Sequence, residues 1–390
     1  MEKHTENVID HVSVSGEKLG CEEYDWTRLN RGASPLIIPH SRPSIDRSDI
    51  EAVSEVLASG RIAQGEKVKE FEDAVALYVG KKYGVAVSSG TSALHLALLS
   101  LGVEDGDEII MPSYVCSSPY FATLHARAVP KIVDVDLSNF NICADAVGPQ
   151  ISPKTKAIIV PHMFGNPAEL DPLLELGVPV VEDCAQSLGA EYKSRRVGSL
   201  GELSVFSFYA TKMITTGEGG MILTNDEQKY ARILELRDYD KKALTPTKYN
   251  YKMTDLQASL GISQLSKLPG FIERRRRIAS IYSAALSEHD IELPSATPDS
   301  RGVFYRYVVM VDNMERIREE AHRDGIICER PVFKPLHSDF AAVECPNSDS
   351  AHNHALSIPL YPGLSGEEID YVVARLQETL RNPAQTKRDG

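Results

Sequence analysis

Seven short apolar runs alternate with helix-like segments between residues 83 and 224, and this rhythm is the tightest constraint on the fold. The runs are Tyr83 to Ser88, Asp107 to Tyr114, Val129 to Val135, Ala157 to Met163, Val178 to Glu182, Leu203 to Tyr209 and Met221 to Thr224. Each is too short for a helix of ordinary length and apolar enough for a buried strand. The stretches between them, such as the one carrying Leu94, Ala97, Leu98 and Leu101, supply the crossovers that parallel strands require. The pattern predicts an α/β fold, a mostly parallel sheet with helices on both faces.

The flanks read differently. Ile50, Val53 and Leu57 share a helical face that stops at Gly60, with Ser48 and Glu51 at capping-box spacing. Val68, Phe71, Val75 and Val79 form a second such face, ended by Gly80. After Asp226 long helices dominate, including Thr254 to Leu268. A strand at Val303 to Val311, a helix at Met314 to Arg323 and a terminal helix at Ser365 to Leu380 predict a smaller α+β domain. The expected division is a weakly ordered N-terminal extension over 1–33, a large domain over 34–270 and a small C-terminal domain over 271–390.

A net charge of −13 argues against a nucleic-acid surface. The basic run Arg274 to Arg277 lies in a helical pattern and reads as a solvated face. No run approaches 18 apolar residues, so no membrane span is expected. The first 32 residues lack the apolar core of a signal peptide. The six cysteines are scattered, without CxxC or paired Cys/His spacing, which suits reduced thiols in the cytoplasm and predicts no metal site.

Three stretches carry chemistry. Lys212 follows the apolar run ending at Tyr209, where poor solvent favours the neutral amine, a nucleophile toward aldehydes. Taken alone it reads better as a surface lysine after an edge strand, and only its company elsewhere in the chain reverses that. Glu182 and Asp183, with Gln186, follow a buried strand at the end where open α/β sheets bind ligands. An acid there can hold a pyridinium nitrogen protonated, or simply cap the next helix. Ser89-Gly90-Thr91-Ser92 joins a strand to a helix, which makes either a phosphate cradle or an N-cap by Thr91 or Ser92.

Together with Glu70-Phe71-Glu72, Pro112-Ser113-Tyr114, Val133-Asp134-Val135-Asp136, Asn250 to Ala258 and Leu356-Ser357-Ile358-Pro359, these motifs resemble, in collinear order, the DegT, DnrJ and StrS sugar aminotransferases. The resemblance covers roughly residues 36 to 382. It implies the fold type I of pyridoxal-phosphate enzymes, with pyridoxal 5'-phosphate as cofactor. By position, Lys212 matches the lysine that binds the cofactor covalently and Asp183 the acid on the pyridine nitrogen. Gln186 matches the residue at the ring hydroxyl, and Tyr114 the aromatic stacked on the ring. Gly90, Thr91, Ser92 and Ser207 match the phosphate cradle. Asn250 matches an asparagine given by the neighbouring subunit, and His337 a histidine on the substrate side.

The resemblance further implies transamination from an amino donor, glutamate in most of the family, to a keto-sugar nucleotide in amino-sugar and polysaccharide biosynthesis. It also implies a homodimer with a shared active site. Many members have histidine where Gln186 stands, and glutamine there hints at amination of C3. Dehydrating relatives have histidine in place of Lys212, so transamination is favoured over dehydration. Another pyridoxal-phosphate reaction and a non-enzymatic regulatory role remain the alternatives.

Overall fold

In a computed structural model, residues 37–240, 242–244, 247–340 and 342–381 are described. The expected extension over 1–33 lies outside them. All seven apolar runs are strands of one sheet. They are β1 (Tyr83–Val87), β2 (Glu108–Pro112), β3 (Val129–Val133), β4 (Thr155–Pro161), β5 (Val180–Asp183), β6 (Leu203–Ser207) and β7 (Gly220–Thr224). Their spatial order is β1-β7-β6-β5-β4-β2-β3. Only β7 runs antiparallel to its neighbours. The predicted fold class therefore holds.

The sheet is buried on both faces. Phe71, Val75, Val180 and Phe206 belong to the core on one side, and Leu94, Leu98, Val181 and Val205 to the core on the other. Alternation along each strand separates the two sets. Helix α1 (Arg47–Ser59) begins two residues earlier than a Ser48 cap implies, and its capping box is Asp46 with Asp49 rather than Ser48 with Glu51. Asp46 accepts from the Ser48 and Asp49 N–H groups, and Asp49 accepts from the Asp46 N–H at 3.0 Å. Ser48 is thus inside the helix, and its hydroxyl donates to Asp46.

Helix Asp255–Leu286 passes through Pro269, where the sequence reading ended it. Helices α1 and α2 (Glu66–Val79) pack along it, and tertiary packing overrides the local breaker. The division placed between 270 and 271 falls inside this helix. A two-stranded sheet, Tyr307–Met310 with Ala355–Ile358, forms the C-terminal core with helices Met314–Arg323 and Gly366–Arg381. No helix among the described residues is long and apolar enough to cross a membrane.

Candidate active site

The carboxyl ends of β5 and β6 and the start of helix α3 (Gly90–Ser100) surround a cavity of about 230 Å³. Period-two alternation sends the two adjacent acids of β5 to opposite sides. Asp183 lines the cavity, whereas Glu182 is wholly buried behind it. The Ala185 N–H donates to Asp183 Oδ1 at 3.0 Å, and Oδ2 has no hydrogen bond among the described residues. Burial raises the Asp183 carboxyl above its ordinary value, and the Ala185 N–H and the Lys212 charge pull the other way.

Lys212 stands on the loop after β6 and lines the same cavity. Phe208, fully buried and 4.9 Å from the Phe71 ring, anchors that loop. The Phe208 N–H donates to the Gly219 carbonyl, and its own carbonyl accepts from the Thr216 N–H. The Lys212 N–H closes a turn on the Tyr209 carbonyl at 2.9 Å. A side chain on Gly220 would place its Cβ 2.2 Å from the Ser89 carbonyl oxygen, so the loop's return requires glycine.

Ser89, Gly90, Thr91 and Ser207 line the cavity at the start of α3, where they could hold a phosphate. Ser89 is the N-cap of α3: its Oγ accepts from the Ser92 N–H at 3.0 Å. Thr91 Oγ1 hydrogen-bonds to Ser118 Oγ at 2.7 Å. Ser92 is a correction to the sequence reading. It neither lines the cavity nor caps the helix, because one turn of helix carries its hydroxyl back to Ser88 and Ser89.

Tyr114 is a second correction. It is fully buried between Phe140 and Phe164, and its hydroxyl donates to the Ala351 carbonyl at 3.3 Å. Strand β2 ends at Pro112, and the turn beyond re-aims the chain so that Cys116 faces the cavity instead. Cys116 is exposed on the cavity wall, and crowding within the cleft pushes its thiol up while Lys212 pulls it down. Cys116 also borders a second cavity of about 410 Å³, shared with Tyr120, Gln186, Phe333, Lys334 and Phe340. Gln186 is held there by the Phe164 N–H, which donates to its Oε1 at 2.8 Å.

His337 and Asn250 lie outside the first cavity. His337 is buried: Ser113 Oγ meets its Nδ1 at 2.6 Å and Asp349 Oδ1 its Nε2 at 3.2 Å. Its place in the short turn Leu336–Asp339, whose Leu336 N–H donates to the Ser113 carbonyl, sets the ring between Ser113 and Asp349. Asn250 is exposed, in an isolated bridge with Asp238.

Behind Asp183, the ligand-type atoms of His162, Glu182 and Cys184 lie within 4.8 Å of one another. His162 Nδ1 accepts from the Ala168 N–H, which leaves Nε2–H to face Glu182. Glu182 also accepts from the Gly198, Leu200 and Gly201 N–H groups. Burial would raise the Glu182 carboxyl, but His162 and these N–H groups hold it below its ordinary value. The arrangement is a satisfied buried network that braces the strand carrying Asp183.

These residues fit pyridoxal phosphate. Lys212 offers an amine to an aldehyde, and Asp183 keeps one oxygen free for a ring nitrogen. A Cβ on Gly90 would sit 2.9 Å from Ser207 Cβ, so only glycine lets the start of α3, with its free N–H groups, come this close to the end of β6.

Residues 43–377 match the DegT/DnrJ/EryC1/StrS aminotransferase family. The chain is 35% identical to GDP-perosamine synthase of Escherichia coli O157:H7, over 87% of this chain and 98% of that one. It is 33% identical to the spore coat polysaccharide biosynthesis protein SpsC of Bacillus subtilis, over 88% and 97% respectively. Among solved structures, the PLP-form of Spr1654 from Streptococcus pneumoniae superposes with a TM-score of 0.84 at 27% identity, covering 89% of this chain and 99% of that one.

Proposed function

The chain belongs to the DegT/DnrJ/EryC1/StrS aminotransferase family, and from that premise we propose that it carries an amino group from glutamate to a keto-sugar nucleotide. It is a pyridoxal-phosphate-dependent aminotransferase of nucleotide sugars. The observation that carries the reading is that Lys212 and Asp183 face one cavity at the N-terminus of α3.

Lys212 would hold the cofactor's aldehyde carbon, Asp183 its ring nitrogen, and Ser89, Gly90, Thr91 and Ser207 its phosphate. When bound, pyridoxal phosphate supplies an electron-withdrawing ring that makes a neighbouring carbon acidic. Lys212 Nζ takes a proton from the amino donor's Cα and later returns one to the sugar carbon that receives nitrogen. Asp183, with one oxygen free toward the cavity, would hold positive charge at the strand end while that proton moves. The buried aromatic wall of Phe140, Phe164 and Tyr114 stiffens the turns around the cavity. The second cavity, which meets the first at Cys116, has room and aromatic walls for the sugar nucleotide.

The exposure of Asn250 leaves it available to a second subunit, which supports a homodimer with a shared site. Free thiols at the five described cysteines support a reducing, cytoplasmic setting. The test is the first half-reaction: glutamate alone should convert the yellow protein to its amine-loaded form with release of one 2-oxoglutarate per site. Glutamate that leaves the spectrum unchanged, while another amino acid converts it, overturns the donor. Failure with every amino acid overturns the transaminase reading.

A further inference from the structure

Tyr305 stands beside Lys212 among positive charges. The segment that carries it is pinned to the turn Met163–Gly165: the Arg306 N–H donates to the Phe164 carbonyl, and the Val303 N–H to that of Gly165. Gly165 allows this approach, since a Cβ there would lie 2.8 Å from the Tyr305 nitrogen. The ring is buried, with 5% of its surface exposed. Lys212 Nζ lies 5.1 Å from the ring centroid, and the Arg306 guanidinium carbon 5.0 Å. The phenol oxygen shares a hydrogen bond with Thr211 Oγ1 at 3.3 Å and accepts from Arg306 Nη2 at 3.5 Å.

A third cation stands behind. Arg275 is buried, and its Nη1 donates to the carbonyls of Phe304, Tyr305 and Leu360. Among the described residues, no carboxylate lies within ion-pair distance of Lys212, Arg275 or Arg306. His40 does not balance them either: it accepts a hydrogen bond from Arg306, which requires a neutral ring, and burial with the guanidinium charge holds it down to about 3. Cations this close to a buried phenol favour its anionic form.

We infer that Tyr305 is a positioning residue for the transamination step: its phenol, by holding or losing its proton, sets the charge that the Lys212 amine meets as it exchanges protons with substrate. This rests on Lys212 as the reacting amine. The proton leaves the phenol oxygen for solvent, and the oxygen left behind stabilises the neighbouring ammonium. Burial alone would raise the phenol, but Lys212, Arg306, Thr211 and Arg275 together bring it down to about 8.

The experiment has two arms, and the first needs neither cofactor nor substrate. Cofactor-free wild type and Tyr305→Phe are titrated with base while the tyrosinate absorption is followed. The difference between them should show one tyrosine ionising near pH 8. In Lys212→Ala the same transition should move to higher pH. A tyrosinate signal confined to the range of ordinary tyrosines, or a midpoint unmoved in Lys212→Ala, overturns the coupling. If Tyr305→Phe does not fold, wild type against Lys212→Ala carries this arm alone.

The second arm is the pH profile of the glutamate half-reaction. Loss of the phenol should move its acidic limb to lower pH, because the amine then loses the anionic oxygen that offsets Arg306 and Arg275 and keeps only Asp183, across the same cavity, on the side of its charged form. An unchanged limb, with wild type active, contradicts the positioning role. Absence of any half-reaction in wild type would count against the transaminase reading and leave the titration to judge Tyr305.

Discussion

Gly90 and Ser207 come so close that a Cβ on the glycine would lie 2.9 Å from the serine Cβ. The contact joins the first residue of α3 to the last residue of β6. It sets the width of the gap in which backbone N–H groups at the helix start would meet the cofactor's phosphate.

Gly90→Ala should therefore weaken pyridoxal phosphate binding by about tenfold or more, equivalent to about 1.4 kcal/mol. Thermal stability should fall as well, because Ser207 Cβ cannot yield without moving the end of β6, a cost that outweighs alanine's better helix propensity. Titrating cofactor-free protein by fluorescence checks both halves of the statement. Wild-type affinity in the variant would remove the cradle from this place.

His337→Ala should cost stability and leave catalysis nearly untouched. The imidazole bridges buried Ser113 to Asp349, and losing it removes a buried hydrogen bond while the Ser113 oxygen still accepts from the residue 337 N–H, at about 1 kcal/mol. A urea midpoint reads the loss. A kcat that collapses in a protein of unchanged stability would return His337 to the substrate side.

Acid should destabilise the fold through two histidines. Burial and the neighbouring His125 hold His95 down to about 4, and burial and Arg306 hold His40 down to about 3, against 6.5 for an unperturbed ring. Between those values the unfolded chain binds protons that the folded chain does not, so stability rises with pH. This contribution is complete above pH 6.5 and is lost progressively as pH falls toward 4 and 3. His95→Phe, which keeps a ring beside Tyr249 and Tyr251, should flatten the slope of melting temperature against pH. A variant slope as steep as the parent's would exclude His95 as a source.

The division between what sequence revealed and what it concealed follows from geometry. The family match alone picked Asp183 over Glu182, and alternation within β5, which sends the two acids to opposite sides, agrees with that choice. Beyond Pro112 the chain leaves the strand, alternation no longer holds, and a motif match chose Tyr114 where the turn presents Cys116. Ser89 was overlooked as the cap because helix ends are set by which hydroxyl reaches back, a matter of one residue. Tyr305 could not be found at all: its neighbours Lys212 and Arg275 come from elements far apart in the chain. Pro269 misled in the other direction, since packing by two helices carried the long helix through it.

Subunit mixing tests the shared site. Lys212→Ala chains combined with Asn250→Ala chains should give a heterodimer in which one site has both residues, with activity well above either parent. Activity no greater than that of the Asn250→Ala homodimer would confine Asn250 to its own chain, and a fully active Asn250→Ala homodimer would discard its role.

The central claim is that Lys212 is the amine that binds the cofactor, and borohydride tests it most directly. Reduction of the yellow protein should fix the cofactor irreversibly, and peptide mass spectrometry should find the adduct on Lys212. An adduct on any other lysine, or a protein that releases all its cofactor after reduction, would contradict the account.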